Sequence, residues 1–336
     1  MIARKFDSIV RDSEPAMSSI QTIVSDRLEA VQKELNRIIV SDFGMIQEVN
    51  QCLLAMKGKL FRPTLVLLAN EVDQEPSEDA ITLAAIVELV HLATLVHDDA
   101  VDHSVLRRGL PTINALWTHQ VAVIMGDYLY SRSVNELVRM KKYATLSVLA
   151  NATNQMSIGE MRQLTSVDAL GFSENDYNHL IECKTASLIS ASCEIGALDG
   201  EGRHNQSLAE FGYNLGMAFQ VADDLLDYRG DETITGKPSG QDLREHKVTL
   251  PLVASLNNMS ELELKETRKF FTLIEPADRD IEKIVEIVSV TGGLDYAEKQ
   301  AQLYAERAKE ILRKFPESPA VTALDNAVTY TVTRDR

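Results

Sequence analysis

The chain has 336 residues, of which 45% are hydrophobic and 25% are charged, and its formal net charge is −16. This is the composition of a globular protein with enough apolar residues for a sizeable core. Nucleic acids and anionic membrane surfaces are bound through basic patches, so the acidic balance argues against both as partners. The three cysteines form no CxxC motif, which argues against a disulfide framework or a zinc site and fits a reducing cytosol.

The organisation of the chain is that of a single domain. No Gly-, Ser- or Pro-rich linker, repeat or low-complexity tract divides it, so we predict one domain over residues 1–336, with a loosely ordered segment at 1–15. Apolar residues recur at helical spacing and no stretch alternates convincingly as a strand, which predicts an all-α fold of about ten helices. The first residues lack the apolar core of a signal peptide, so we expect a cytoplasmic protein.

The first candidate site lies at a junction between two predicted helices, Gly58-Lys59-Leu60-Phe61-Arg62-Pro63. Gly58 can end one helix, and Pro63 suits the first turn of the next, which we predict over 64–71. Lys59 and Arg62 would then flank a helix N-terminus, which is a favourable place for a diphosphate. Taken alone the signal is modest, because cations at helix ends are commonly only solvated.

The most informative stretch is His97-Asp98-Asp99-Ala100-Val101-Asp102, which follows an apolar run predicted as a buried helix. Asp98 and Asp102 share a helix face, with Asp99 beside them. Carboxylates about 5 Å apart repel by roughly 3 kcal/mol at an effective dielectric constant near 20, so the cluster needs a compensating partner. Mg²⁺ fits, because it takes one or two carboxylates and completes its shell with water and phosphate oxygens. A solvated helix end is the alternative for this stretch alone.

Several residues around this motif carry two interpretations each. His91 lies two turns before Asp98, on roughly the same face, and is either a core residue or part of the site. Arg107 and Arg108 follow the motif and form either a local salt bridge or two bidentate ligands for diphosphate oxygens.

Further along, 113–138 and 143–164 are predicted as long helices. Lys184 opens a run of small and apolar residues, where it faces a cavity or extends to solvent.

A second acidic motif, Asp223-Asp224-Leu225-Leu226-Asp227, repeats the spacing of the first after another apolar segment. Two such motifs in separate helices of one domain predict facing metal-binding walls. The following segment, 230–247, is polar and unusually long for a connection, which favours a functional lid. Lys237 and Lys247 lie in it. This set of acidic motifs, basic residues and apolar helices favours the ionisation of a diphosphate ester in a cavity whose apolar walls exclude water. The sequence has no P-loop, Rossmann or nucleophilic serine motif that would favour another chemistry.

These motifs, in this order, resemble the trans-type polyprenyl diphosphate synthases over almost the whole chain, and their long-chain, octaprenyl- and solanesyl-like members in particular. The matching motifs are Gly58-Lys59-x-x-Arg62-Pro63, Asp98-Asp99-x-x-Asp102, Arg107-Arg108-Gly109, Lys184-Thr185, Gly216-x-x-Phe219-Gln220-x-x-Asp223-Asp224-x-x-Asp227, Gly236-Lys237-x-x-Gly240-x-Asp242 and Lys247-x-Thr249-Leu250-Pro251. His246 departs from the pattern, since many members have glycine there.

The resemblance implies a helical bundle around a central cavity, usually a homodimer, that condenses isopentenyl diphosphate head-to-tail onto an allylic diphosphate. It implies Mg²⁺ as the cofactor, three ions with substrate bound, held by Asp98, Asp102 and Asp223. The implied catalytic set is Asp98, Asp99, Asp102, Lys184, Asp223, Asp224, Asp227 and Lys237. The residues implied to hold the allylic diphosphate are Arg107, Lys184, Thr185, Gln220, Lys237 and Lys247. Those implied to hold isopentenyl diphosphate are Lys59, Arg62, His91 and Arg108.

Product length should depend on the helix face before Asp98, which carries Val90, Ala93 and Thr94. Short-chain relatives typically place an aromatic residue four or five positions before the first aspartate, where this chain has Thr94 and Ala93. We therefore expect a product of about six to ten isoprene units growing along this face, suited to a quinone side chain and released by transient membrane contact at most. The alternatives are a farnesyl or geranylgeranyl diphosphate synthase, a regulatory subunit of a heterodimeric synthase, and a class I terpene cyclase.

Overall fold

A computed structural model describes residues 16–55, 58–72, 75–107, 109–165, 170–199, 202–229 and 240–334. The segment predicted to be loosely ordered, 1–15, lies outside these residues. The described chain is built almost entirely from helices, which confirms the all-α prediction. Its first half contains α1 (Met17–Gln21), a 3₁₀ turn (Thr22–Val24), α2 (Ser25–Ile38), α3 (Gly44–Ala55), α4 (Phe61–Asn70), α5 (Asp79–Val101), α6 (Ile113–Leu116), α7 (His119–Arg139) and α8 (Tyr143–Thr165).

The second half begins with one long helix that changes its winding in the middle. It comprises α9 (Glu174–Ile181), a π-helical turn (Glu182–Ala186) and α10 (Ser187–Leu198). After it come α11 (Asn205–Arg229), α12 (Gln241–Arg244), α13 (Leu250–Leu256), α14 (Glu261–Phe270), α15 (Asp278–Val290), α16 (Gly293–Leu312) and α17 (Pro319–Thr333).

Helix α5 is the central core helix of the first half. It packs against α2, α4, α7 and α10, and its residues from Leu83 to Val90 are all buried. By length and composition alone α5 could cross a membrane, but 61% of its most apolar stretch is buried inside the protein. This burial agrees with the predicted core helix.

The chain between α5 and α7 departs from the prediction in one place. A short antiparallel hairpin, β1 (Leu106–Arg107) and β2 (Leu110–Pro111), follows the first acidic motif. The single helix predicted over 113–138 is wrong, because it is interrupted at Trp117 and Thr118. The Thr118 hydroxyl accepts a hydrogen bond from the Val121 amide at 3.2 Å. This cap starts a new helix and overrides the apolar periodicity of the segment.

Helix α11 occupies the centre of the second half, between α10 and α16. Gly216 allows its close approach to the π-helical turn, because a Cβ at that position would lie 2.6 Å from the Cα of Ala186. The C-terminal end of α11, which carries the second acidic motif, is thereby held beside the turn that carries Lys184 and Thr185. The fold thus gathers predicted site residues from distant parts of the sequence.

Candidate active site

A cavity of about 900 Å³ lies between the two acidic motifs. Asp102 of the first motif and Asp224 of the second both line it. The predicted diphosphate-binding residues that also line it are Lys184, Thr185, Gln220 and Lys247. Residues of several sequence motifs therefore line one cavity, and this lining contains both acidic and basic groups.

In the first motif the middle carboxylate is held by a neighbouring arginine. Asp99 is buried, and both of its oxygens accept hydrogen bonds from Arg107 Nε at 2.9 Å. A further contact of 2.8 Å joins Arg107 Nη2 to Asp99 Oδ1. Of the two interpretations of Arg107, the structure thus shows the local salt bridge. Because Asp99 is neutralised, Asp98 and Asp102 are the carboxylates of this motif that remain for a cation.

Asp98 lies in an environment that opposes its negative charge. Burial raises its pKa to about 6, and the charges of Glu160 and Asp102 act in the same direction, while Lys184 and Arg107 oppose the shift. A divalent cation would favour the ionised form of such a group. The donor set of the first motif therefore fits a hard cation.

In the second motif the middle carboxylate is again held by hydrogen bonds from neighbouring side chains. Asp224 accepts hydrogen bonds from the Tyr177 hydroxyl at 2.5 Å and from Gln220 Nε2 at 2.8 Å. Thr185 in turn donates to Gln220 Oε1 at 2.7 Å. Burial and the nearby charge of Asp242 raise the pKa of Asp224 well above its usual range. Asp223, by contrast, is exposed and is the carboxylate of this motif that a cation can reach.

Asp227 binds backbone amides, a role that the sequence did not predict. Its oxygens accept backbone hydrogen bonds from Gln241 and Asp242, both at 3.0 Å. It thus anchors the first turn of α12. Asp242 belongs to the motif Gly236-Lys237-x-x-Gly240-x-Asp242, from which no site role is predicted for it, yet it lines the cavity. Burial raises its pKa to about 7, with the charge of Asp227 acting in the same direction.

Lys184 and Lys247 both carry acidic partners. Lys184 Nζ lies 2.6 Å from Glu160 Oε2 and 3.0 Å from Gln163 Oε1. Lys247 Nζ lies 2.5 Å from Glu245 Oε2. Glu160 belongs to α8, and its only sequence signal was its place at the end of a helix. Lys237 and Arg108, which were predicted to bind diphosphate, lie outside the described residues.

A second cavity, of about 320 Å³, adjoins the first motif. Asp99, Arg107 and His91 line it together with Gly58. Arg62 Nη1 lies 3.1 Å from His91 Nε2, so two predicted isopentenyl-diphosphate residues are brought together. Lys59 Nζ donates to the Tyr330 hydroxyl at 3.1 Å, which adds α17 to this side of the site.

The three predicted chain-length residues lie on α5 but are not among the described residues that line either cavity. Val90 and Ala93 are buried, and the Thr94 hydroxyl donates to the carbonyl of His91 at 2.8 Å. The small cavity is lined instead by Leu92, Leu95 and Val96 of the same helix. The role of Val90, Ala93 and Thr94 in product length stays a prediction.

No group of three or more acidic, histidine or cysteine side chains already converges as a ready-made metal site within the described residues. This is compatible with Mg²⁺, which is commonly held by one or two carboxylates and otherwise by water and substrate phosphates. The carboxylates that would hold it are Asp98 and Asp102 of the first motif and Asp223 of the second.

The fold and this cavity together define a class: all-helical proteins in which two acidic motifs and several basic residues surround one cavity. Comparison with known proteins agrees. The family model described as "Polyprenyl synthetase" matches residues 44–288. The chain is 36% identical over 305 residues to an all-trans-nonaprenyl-diphosphate synthase (geranyl-diphosphate specific) of Rhodobacter capsulatus, which covers 90% of this chain and 93% of that protein.

Two further relatives are similar over nearly the whole chain. One is a geranylgeranyl diphosphate synthase of Saccharolobus solfataricus, 32% identical over 90% of this chain and 95% of its own length. The other is a solved structure, polyprenyl synthase from Caulobacter crescentus complexed with calcium and isoprenyl diphosphate. It has a TM-score of 0.90 and 31% identity, and covers 96% of this chain and 99% of that one. The chain belongs to the polyprenyl synthetase family, and the predicted resemblance to the trans-type polyprenyl diphosphate synthases, which are prenyltransferases of isoprenoid biosynthesis, is confirmed.

Proposed function

We propose that the protein is a Mg²⁺-dependent trans-prenyltransferase that condenses isopentenyl diphosphate onto an allylic diphosphate to make a long-chain polyprenyl diphosphate. The observation that carries the proposal is the shared cavity, in which Asp102 and Asp224 meet Lys184 and Lys247. A family structure complexed with calcium and isoprenyl diphosphate supports a divalent cation and a prenyl substrate.

The chain's own groups provide binding and orientation. Lys184 and Lys247 supply positive charge to an allylic diphosphate in the large cavity, and Gln220, held by Thr185, sets the position of Asp224. Arg62 and His91 hold the second diphosphate at the smaller cavity. The apolar walls of α5 exclude water from the allylic cation. The C–O bond of the allylic diphosphate breaks, which leaves the allylic cation and a free diphosphate. The homoallylic double bond of isopentenyl diphosphate then attacks this cation, and the proton lost from the adduct is taken up by the departed diphosphate.

The implied metal ions belong to the outer carboxylates of the two motifs, Asp98 and Asp102 in the first and Asp223 in the second. Asp98 and Asp102 would hold one or two ions, and Asp223 would hold another. When bound, such ions supply positive charge that stabilises the departing diphosphate. We propose three ions with substrate bound.

A product of about C30–C50 for a quinone side chain is the finer part of the proposal. Two observations support it: the small residues Ala93 and Thr94 before the first motif, and the similarity to a nonaprenyl-diphosphate synthase. The comparable similarity to a geranylgeranyl diphosphate synthase keeps the shorter product as the alternative.

We also propose a homodimer. Helices α7 and α8 pack on each other and expose large apolar side chains, which is typical of an interface between copies. The exposed residues are Val123, Ile124, Val138, Tyr143, Ile158, Met161 and Leu164. We further propose that the protein is cytoplasmic and that it contacts a membrane at most transiently, during product release.

The test is incubation of the pure protein with farnesyl diphosphate, Mg²⁺ and labelled isopentenyl diphosphate. We expect elongated diphosphates, loss of turnover with a chelator, and recovery on adding Mg²⁺. Asp98→Ala and Asp223→Ala should each lower kcat by at least about a hundredfold, since each removes a metal ligand. A cyclic hydrocarbon would identify a cyclase, and no turnover without a second protein would identify a regulatory subunit.

A further inference from the structure

The end of α17 places a guanidinium on the second acidic motif. Arg334 Nη2 lies 3.0 Å from Asp223 Oδ1 and also donates to the carbonyl of Phe219 at 3.3 Å. The guanidinium carbon lies 3.8 Å from the centroid of the Phe219 ring. The Arg334 side chain is only 7% exposed, whereas the Asp223 side chain is 59% exposed. The arginine thus reaches the exposed Asp223 carboxylate from within the protein.

The same end of α17 also contacts a residue predicted to hold isopentenyl diphosphate. Tyr330, one turn before Arg334, accepts a hydrogen bond from Lys59 Nζ. Phe219, beneath the guanidinium, stacks on Phe61 with ring centroids 5.5 Å apart. Arg334 therefore lies between the second motif and the residues predicted to hold isopentenyl diphosphate.

The hydrogen bonding of this buried cation is incomplete. Arg334 Nε is buried and has no hydrogen-bond partner. A buried guanidinium is costly unless its donors and its charge are compensated. Planar guanidinium groups bind diphosphate oxygens with two donors at once. A substrate diphosphate would therefore be a better partner for Arg334 than the single oxygen of Asp223.

The Asp223 carboxylate cannot fully bind both the Arg334 guanidinium and a Mg²⁺ ion. Mg²⁺ requires oxygen ligands at about 2.0–2.1 Å in near-octahedral geometry, and a guanidinium bound to the same oxygen competes by charge and by space. The first motif differs, because Arg107 binds the middle residue Asp99 and not Asp98 or Asp102. Only the second motif has its outer carboxylate covered by an arginine among the described contacts.

We propose that Arg334 is a positioning residue that competes with divalent metal for Asp223, and that it releases this carboxylate when a substrate diphosphate binds its guanidinium. The inference rests on the proposed function, because it assumes that Asp223 is a metal ligand of the prenyltransferase. It predicts an order of loading: the first motif takes up metal without substrate, whereas the second motif takes it up together with diphosphate.

The experiment measures Mn²⁺ binding by electron paramagnetic resonance without any diphosphate. Arg334→Ala should bind Mn²⁺ at the second motif about three- to tenfold more tightly than wild type, because the competing cation is gone. Arg334→Gln, which keeps a polar group for the Phe219 carbonyl, should give the same gain, and Arg334→Lys should stay near wild type. Arg313→Ala is the matched control, because Arg313 pairs with Glu306 at the surface, and it should change nothing.

Two further measurements separate this inference from its alternatives. In an Asp223→Ala background the effect of Arg334→Ala should disappear. Calorimetry with isopentenyl diphosphate alone should show at least fivefold weaker binding to Arg334→Ala and to Arg334→Gln, as lost charge-assisted hydrogen bonds require. Unchanged or weaker Mn²⁺ binding in both variants would overturn the competition, even if the wild type elongates prenyl chains. Failure of the wild type to elongate would overturn the proposed function instead, since the Mn²⁺ titration needs no turnover.

Discussion

The hydroxyl of Tyr177 donates to Oδ2 of Asp224, so α9 is tied to α11 at the wall of the large cavity. Both side chains are buried, and burial raises the pKa of each well above its usual range. Gln220 donates to the other oxygen of the same carboxylate. With both oxygens of Asp224 hydrogen-bonded inside the protein, Asp223 is left as the exposed carboxylate of the second motif.

Removal of this hydroxyl should therefore reduce turnover more than it reduces substrate binding. Tyr177→Phe keeps the ring in the core but leaves one oxygen of Asp224 without a donor, at a cost of about 1–3 kcal/mol. We expect kcat to fall about tenfold, with KM for the allylic diphosphate changed less than threefold. Steady-state kinetics checks this, with Tyr213→Phe as the control, because Tyr213 is a partly buried tyrosine of α11 that packs against the same hydrophobic cluster as Tyr177. A wild-type kcat would show that the bond to Asp224 has no catalytic effect.

Ala93 offers a test of the path of the growing chain. Ala93→Phe adds a large side chain to the buried face of α5 before the first motif, and we expect it to shorten the product to about three or four isoprene units by blocking that face. Thin-layer chromatography of the dephosphorylated products gives the lengths. Ala93→Ser, which adds little volume, should keep the wild-type ladder. If Ala93→Phe also keeps it, the chain grows along another face.

Gly216 is expected to set the distance between α11 and the π-helical turn. A Cβ there would lie 2.6 Å from the Cα of Ala186, where only backbone movement can relieve the clash. Gly216→Ala should lower the free energy of unfolding by about 1–3 kcal/mol through overpacking. Gly44→Ala is the control, because its added Cβ meets nothing within 4 Å. Urea unfolding of both variants makes the comparison, and equal stability would contradict the close packing.

Arg37 should stabilise the protein in a pH-dependent way. It contacts Glu34 Oε1 at 2.8 Å and Glu136 Oε2 at 3.0 Å, joining α2 to α7. Hydrogen bonding to Arg37 lowers the pKa of Glu34. Burial tends to raise the pKa of Glu136, but its hydrogen bonds to Arg37 and Arg139 outweigh this and lower it. Lowered carboxyl pKa values give stability above the unfolded value of 4.5, and this stability is lost as pH falls through the folded values.

The corresponding variant is Arg37→Met, which keeps much of the apolar side-chain volume. It should lower the unfolding free energy by about 1 kcal/mol at neutral pH, and its difference from wild type should shrink as pH falls below the usual carboxyl range. Urea titrations across that range give the difference. Arg279→Met should have little effect at any pH, since Arg279 is 86% exposed. A constant difference for Arg37→Met would assign its effect to packing instead of charge.

The sequence was sufficient for the fold class and for some of the residues that line the large cavity, namely Asp102, Lys184, Thr185, Gln220, Asp224 and Lys247. Helical periodicity predicted the bundle, and the repeated acidic spacing predicted two motifs on one cavity, because both signals are local. The partners within the site were not predictable in this way. Asp224 is held by Tyr177, and Asp223 by Arg334, and these partners are far away in sequence and carry no motif of their own. The break at Thr118 was missed for the opposite reason, since a single capping hydroxyl outweighed a long apolar pattern.

The π-helical turn at Glu182–Ala186 makes the wall of the large cavity sensitive to the number of residues in this helix. An α-helix turns by 100° per residue, so one additional residue in a widened turn rotates everything after it relative to everything before it. Tyr177 on the N-terminal side and Thr185 within the turn both contact the Asp224–Gln220 pair because of this offset. Shortening the turn by one residue would restore regular winding and separate these contacts, while leaving the length of apolar helix almost unchanged.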